Sequence, residues 1–256
     1  MFSSADDSMT ETDYARADIG IVSALPLELA AFLSRCDRVR KYTGGNFTFR
    51  GGRLDSVRIV VVETGECSFA RTRRATESLI EAHSPDWILS CGFSGALRDD
   101  QNIGDIVVAN AILDTHGNRV DVPVNLESQP GLHVGPTVVT DELTRTVAAK
   151  RALTEQWEAV AVDMDSLAVA QVCRDVKRRF MSIRTISDDL KIDLPPEILS
   201  VRGRTGSMRF GAALGALWKR PASAKEMWTF REQAATAADR LAAFLEGVVF
   251  QLIPQK

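Results

Sequence analysis

Ile19-Gly20-Ile21-Val22-Ser23-Ala24-Leu25-Pro26-Leu27-Glu28 is the stretch that decides the fold. A β-branched run passes through a short turn into a segment where Leu25, Leu29, Phe32, Leu33 and Cys36 recur at helical spacing. Pro26 stands where the first turn of a helix accepts proline best. The result is strand, turn, helix, with a carboxylate at the junction. Two later runs repeat the theme: Val160-Ala161-Val162 leads to Asp163 and Asp165, and Met181-Ser182-Ile183 leads to Asp188. In open α/β sheets the ligand crevice lies beyond the carboxyl ends of the strands. Glu28, Asp165 and Asp188 are therefore the leading functional candidates.

The rest of the chain fits the same alternation. Phe47 and Phe49 between Gly44-Gly45 and Gly51-Gly52, followed by Val57 to Val62, predict a hairpin or meander. A helix is expected over Ser68 to Ala82, then a short strand from Trp87 to Cys91 ending in a Gly92-Phe93-Ser94-Gly95 turn, then a turn-and-strand unit at Ile103 to Val108. Two glycines three apart let backbone approach a ligand closely. Residues 113–131 read as a weakly structured excursion, Thr137 to Val139 as one more strand, and a helix is expected from Asp141. Ser166 opens a helix with Val169, Val172, Cys173 and Val176 toward the core, and Phe180 to Ile186 is the last clear strand. Two closing helices are expected, one carrying Phe210, Ala213, Leu214, Leu217 and Trp218, the other Met227, Phe230, Ala234, Leu241 and Leu245. The alternation predicts an α/β fold, a three-layer αβα arrangement around a central twisted mixed sheet. Residues 1–17 are expected to be a disordered leader, 18–256 a single domain, and 191–225 a lid or insertion within it.

Composition narrows the function classes. At 256 residues, 45% apolar and 25% charged, the chain has the profile of one ordinary globular domain. A net charge of −3 argues against nucleic acid or an anionic membrane as partner, so a small molecule is the better expectation. Cys36, Cys67, Cys91 and Cys173 are too scattered for a zinc site or a disulfide framework, and they predict a reduced, cytoplasmic protein without a metal. His83, His116 and His133 have no metal or triad spacing.

Three carboxylates around one pocket suit cleavage of a purine nucleoside. Breaking the glycosidic bond builds positive charge on the sugar. One anion can accept hydrogen bonds from the ribose hydroxyls, a second can deprotonate the attacking water, and a third, protonated, can donate to the departing base. Each acid also has a plainer use. Glu28 falls in a helix's first turn, where a carboxylate is favourable by about 0.3–1 kcal/mol without any catalysis. Asp163 or Asp165 can cap the following helix, and Ser187-Asp188-Asp189 can form an ordinary cap.

Five segments in order carry a resemblance to the nucleoside phosphorylase and nucleosidase superfamily. Ile19 to Glu28 is similar to the opening of methylthioadenosine/S-adenosylhomocysteine nucleosidases. Thr64-Gly65-Glu66-Cys67 resembles their SGxG turn with Cys67 for the last glycine. Cys91-Gly92-Phe93-Ser94-Gly95-Ala96-Leu97 with Gly104-Asp105-Ile106-Val107 resembles TGSAGGL and GDIV. Val162-Asp163-Met164-Asp165-Ser166 is similar to VEMES or VDMES, and Arg184-Thr185-Ile186-Ser187-Asp188 to RxISD. The resemblance implies that Glu28 activates water, that Met164 packs on the sugar, that Asp165 holds the ribose hydroxyls and that Asp188 protonates the purine. By the same resemblance Gly92, Phe93, Ser94, Val162, Asp163 and Ser187 shape the substrate pocket. No cofactor is implied, and a homo-oligomer is. Asp165 is one methylene shorter than the usual Glu, and Phe93 stands where Ser is common. The segment from Pro195 to Ala238 looks more like the hopanoid-associated phosphorylase branch, in which a face of Phe210, Leu214, Leu217 and Trp218 could line a pocket for a bulky 5′ group.

Hydrolysis and phosphorolysis differ by an anion site. Hexameric phosphorylases carry a G-D-P-x-R loop after the first strand and an Arg before the glycine-serine turn. This chain has Ala24 to Glu28 and Ser90 at those places, which favours water. Arg71, Arg73, Arg98, Arg184 or an arginine of a neighbouring subunit could still form a phosphate site, making inorganic phosphate a co-substrate. A catalytically degenerate nucleoside-binding protein is the third reading.

Overall fold

The computed structural model describes residues 16–194 and 224–253; the side chains of residues 224–230, and the whole of 1–15, 195–223 and 254–256, lie outside the described residues. Ten strands form one mixed sheet: β1 (Ile19–Ser23), β2 (Asp37–Gly44), β3 (Phe47–Leu54), β4 (Val57–Glu63), β5 (Trp87–Ala96), β6 (Ile106–Asp114), β7 (Arg119–Asp121), β8 (Leu132–Val139), β9 (Ala161–Asp163) and β10 (Arg179–Asp188). The helices are α1 (Pro26–Leu33), α2 (Phe69–His83), α3 (Val147–Trp157), α4 (Ser166–Asp175) and α5 (Ala224–Leu252).

β1 lies at the centre, parallel to β4 on one side and to β5 on the other. Its five residues are all buried because both faces of the sheet are covered, the condition under which a strand reads as a continuous apolar run. Ile19, Ile21, Ile59, Val61, Leu89 and Cys91 pack on one face with Leu29 and Phe32 of α1 and Leu241, Leu245 and Val249 of α5. Val22, Val60, Val62 and Ile88 pack on the other with Ala75 and Leu79 of α2 and Val169 and Cys173 of α4. These are the helix, sheet and helix layers expected from the alternation of elements.

The far half of the sheet curls onto itself. β5 pairs with β10, β10 with β6, β6 with β8, β8 with β9, and β9 returns to β5. A small cluster of Ala96, Val107, Val160, Ala161 and Ile186 draws on four of those five strands. A bulge between Ile186 and Asp188 sets Asp188 opposite Gly95, where an unbroken ladder would have placed Ser187 there.

Several sequence expectations shift. The strand from Trp87 runs through the glycines to Ala96, so Gly92 and Gly95 lie inside a strand, not in a turn. Gly20, by contrast, was unremarkable in sequence, yet a Cβ there would meet the Leu79 side chain at 2.8 Å. The helix expected from Asp141 begins at Val147, where the Thr146 side chain accepts from the Ala149 N–H. Thr137–Val139 is the end of a longer strand, and within the 113–131 excursion Arg119–Asp121 adds β7 to the edge of β6. Val176, expected in the core, is 50% exposed beyond the end of α4. Ala17, expected in the leader, is buried and its N–H donates to the His83 carbonyl. The face of Phe210, Ala213, Leu214, Leu217 and Trp218 lies outside the described residues, as does most of the segment 191–225 expected to be a lid or insertion. The four cysteines are free thiols. Among the described residues no cluster of His, Cys, Asp or Glu could hold a metal, and no helix is long and apolar enough to cross a membrane.

Candidate active site

The turn after β1 folds Glu28 back on its own chain. Its Oε2 accepts from the Ser23 hydroxyl at 2.7 Å, from the Ala24 N–H at 3.1 Å and from the Leu25 N–H at 2.8 Å. Leu25 is the residue flanking α1, so this carboxylate satisfies N–H groups that a helix start leaves orphaned. The other oxygen does something a cap does not need. Oε1 reaches across to β5 and accepts from the Phe93 N–H at 3.0 Å. Glu28 is 4% exposed, and burial pushes its carboxyl up. The Ser23 hydrogen bond opposes that rise and the charge of Asp165 adds to it.

Asp163 and Asp165 divide the two uses foreseen for them. Asp163 Oδ1 accepts from the N–H groups of Asp165 and Ser166, both at 2.9 Å, and its Oδ2 from the Ser166 hydroxyl at 2.7 Å. Asp163 thereby caps α4. Asp165 makes no capping bond with its side chain; its Oδ1 accepts from Arg184 Nη2 at 2.7 Å. Met164, between them, remains partly exposed.

Arg184 is the hub. Its side chain is 3% exposed; Nη2 also donates to Ser90 Oγ at 2.7 Å, and Nε stands 3.6 Å from Asp163 Oδ2. Burial opposes its charge, yet Asp163, Asp165 and Glu28 together hold it firmly protonated. Burial also pushes the Asp165 carboxyl up, against the pull of Arg184 and with the charge of Asp163 adding to the rise. Gly92 makes the gathering possible. A Cβ on it would lie 2.6 Å from Glu28 Oε1 and 2.7 Å from Arg184 Nη1. The thiol of Cys67 belongs to the same surroundings: burial raises it well above its ordinary value, and the charges of Asp165 and Glu28 add to the rise.

Asp188 ends β10 and stands opposite Gly95, three residues beyond Gly92 on β5. A Cβ on Gly95 would lie 3.0 Å from Asp188 Oδ2, 3.1 Å from Val162 Cγ1 and 3.2 Å from Lys150 Cε. Asp188 Oδ1 accepts from the Ser187 hydroxyl at 2.8 Å, and Oδ2 from Lys150 Nζ at 2.5 Å. Ser94 and Ser187 tie the two strands together through Thr185 O and Ser94 O, both at 3.4 Å. The structure thus brings Glu28, Asp165 and Arg184 into one buried group and sets Asp188 with Ser187 on the same strand rim. Lys150 escaped the sequence reading, since one lysine among the polar residues of a short helix gives no sign that it is wholly buried.

Of the arginines considered for a phosphate site, Arg184 is held within the group by Asp165 and Ser90, and the other three are engaged elsewhere. Arg71 donates to Thr64 O and Asn46 O and lies over the Phe47 ring, Arg73 pairs with Glu77 and Asp175, and Arg98 with Asp100.

The chain is similar to several known nucleosidases. The chain is 25% identical over 218 residues to the 5′-methylthioadenosine/S-adenosylhomocysteine nucleosidase of Shewanella loihica, an alignment covering 73% of this chain and 93% of the relative. It is 25% identical over 196 residues to the protein of the same name from Staphylococcus epidermidis, covering 66% and 86%. Among solved structures, S-adenosylhomocysteine nucleosidase of Streptococcus pyogenes in complex with 5-methylthiotubericidin superposes with a TM-score of 0.70 at 18% identity, covering 94% of this chain and 98% of that one. Futalosine hydrolase of Helicobacter pylori gives 0.68 at 18% identity, covering 93% and 99%. The family model of the phosphorylase superfamily matches residues 18–130 and 121–249, and the chain belongs to that superfamily.

Proposed function

We propose that the protein hydrolyses the N-glycosidic bond of an adenosine-type purine nucleoside. The observation that carries this reading is the approach of Glu28 Oε1 and Arg184 Nη1 to the same bare face of Gly92. A buried carboxylate whose proton affinity is raised is suited to take a proton from water. Its Oε2 is saturated by three donors, which leaves Oε1 as the working oxygen.

Asp165 supplies the acceptor for the ribose hydroxyls through the oxygen that Arg184 does not hold, with Met164 beside it on the sugar. Its side chain is a methylene shorter than the family's usual Glu and is drawn toward Arg184, so a water bridges it to the ribose. Asp188 gives its proton to the purine as the bond breaks. Gly92, Phe93, Ser94, Val162, Asp163 and Ser187 line or brace the pocket. Water is favoured over phosphate because the Glu28 carboxylate stands in the first turn of α1, just after β1, and Ser90 is taken by Arg184. No organic cofactor or metal takes part, the partner is a small-molecule nucleoside, and the protein works as a cytoplasmic homo-oligomer.

Base release from adenosine, methylthioadenosine, S-adenosylhomocysteine and inosine, each with and without inorganic phosphate, tests the reading. Release of adenine at a rate that phosphate does not change supports it. Release that requires phosphate makes the protein a phosphorylase, and binding without release makes it a sensor.

A further inference from the structure

Lys150 is 0% exposed, and its ammonium is spent entirely on one short stretch of chain. Nζ donates to Asp188 Oδ2 at 2.5 Å, to the Asp189 carbonyl at 2.9 Å and to the Asp188 carbonyl at 3.3 Å. An ammonium has three donors, and all three are used. Burying such a charge is expensive unless its partners are well placed, and a residue needed only to fasten α3 to the end of β10 has cheaper forms. The partner is the carboxylate that the proposed reaction needs beside the base, and the pair rests on Gly95 as Glu28 and Arg184 rest on Gly92.

The geometry points to Lys150 as a positioning residue for departure of the base: it commits Asp188 Oδ2 and meets the negative charge left on Asp188 when that carboxyl protonates the purine. The inference rests on the reading of Asp188 as the acid. In the step, the C1′–N bond breaks and its electron pair goes to the purine. The carboxyl proton of Asp188, carried on Oδ1 because Lys150 Nζ holds Oδ2, passes to a ring nitrogen; Asp188 becomes the carboxylate whose Oδ1 accepts from the Ser187 hydroxyl as in the structure, and Lys150 remains an ammonium throughout. Because the cation is in place before the charge forms, no reorganisation is required in the transition state.

Lys150→Met, Lys150→Arg, Asp188→Asn and the Lys150→Met/Asp188→Asn double variant are assayed on adenosine and on p-nitrophenyl β-ribofuranoside, whose leaving group departs without a proton. Lys150→Met is expected to lower kcat on adenosine by about 100-fold with KM little changed, while the nitrophenyl riboside stays within about threefold. Lys150→Arg keeps the cation and is expected to recover at least a tenth of the activity on adenosine, about tenfold above Lys150→Met. In the Asp188→Asn background, loss of Lys150 is expected to add less than about threefold. Equal losses on the two substrates in soluble, cooperatively melting variants, or full additivity with Asp188→Asn, overturns the inference. Wild-type protein that cleaves the nitrophenyl riboside but not nucleosides contradicts the purine reading itself, a separate outcome.

Discussion

Arg184 Nη2 lies 2.7 Å from Asp165 Oδ1, a contact between two side chains that are 3% and 7% exposed. The carboxylate that the proposed reaction turns toward the ribose is therefore half committed to a cation. Asp165→Ala leaves a buried guanidinium with Asp163 at 3.6 Å and the charge of Glu28 as its remaining carboxylate neighbours. Breaking a buried pair from one side is destabilising, here by roughly 3 kcal/mol with the Asp163 contact retained. Urea denaturation checks this, and a loss below about 1 kcal/mol contradicts the pairing.

Glu28→Gln is expected to lower kcat by about 100- to 10,000-fold with little change in KM, as removal of a general base does. All the bonds Glu28 makes are accepted ones, so an amide nitrogen at the Oε1 position would face the Phe93 N–H. Steady-state kinetics on adenosine measure the split between kcat and KM.

The same variant has a pH signature. Burial raises the Glu28 carboxyl above its ordinary 4.5. The folded state thus binds the proton more tightly than the unfolded chain, and stability from this group is complete below about 4.5 and is lost as pH rises through the folded value. Asp165 shifts the same way. Relative to wild type, Glu28→Gln is expected to gain melting temperature as pH goes from 5 to 8, with Asp165 common to both proteins. A difference that is flat or opposite in sign removes the burial argument.

Gly92→Ala tests the convergence directly. The added methyl would sit within 2.7 Å of Glu28 Oε1 and Arg184 Nη1, closer than real Cβ atoms come to any neighbour. Displacing both side chains is expected to cost about 1–3 kcal/mol of stability and at least about 100-fold in kcat/KM. Activity near wild type would place the chemistry elsewhere.

The thiols give an independent check on burial. Burial pushes Cys36 up to about 11 and Cys173 to about 12, and raises Cys67 and Cys91 as well. Since the thiolate is the reactive form, all four are expected to resist iodoacetamide at pH 8 in the native protein and to react in urea. Mass spectrometry counts the adducts. Rapid native labelling of Cys67 would show that its surroundings are open to solvent.

What the sequence could carry was local. The turn at Ala24-Leu25-Pro26, the cap at Asp163 and the buried runs of β1 and β4 depend on neighbours a few residues away, and each left a periodic or capping signature. The closure of β9 onto β5 and of β10 onto both β5 and β6 depends on pairs separated by 65 to 93 residues, which no periodicity encodes. The same holds for Lys150, whose three acceptors lie 38 and 39 residues away. The spacing of Gly92 and Gly95 is plain in the sequence, but a turn and a strand with side chains pressed against it look alike in a string of letters. The bulge at Ser187 decides which way Asp188 faces, and it too has no local mark.

The central claim is that water, activated at Glu28, attacks the sugar. Turnover of adenosine in isotopically heavy water, with phosphate present in excess, reads this out by mass spectrometry of the sugar product. The account predicts free ribose carrying one heavy oxygen and no sugar phosphate. Ribose 1-phosphate with no heavy oxygen would contradict it.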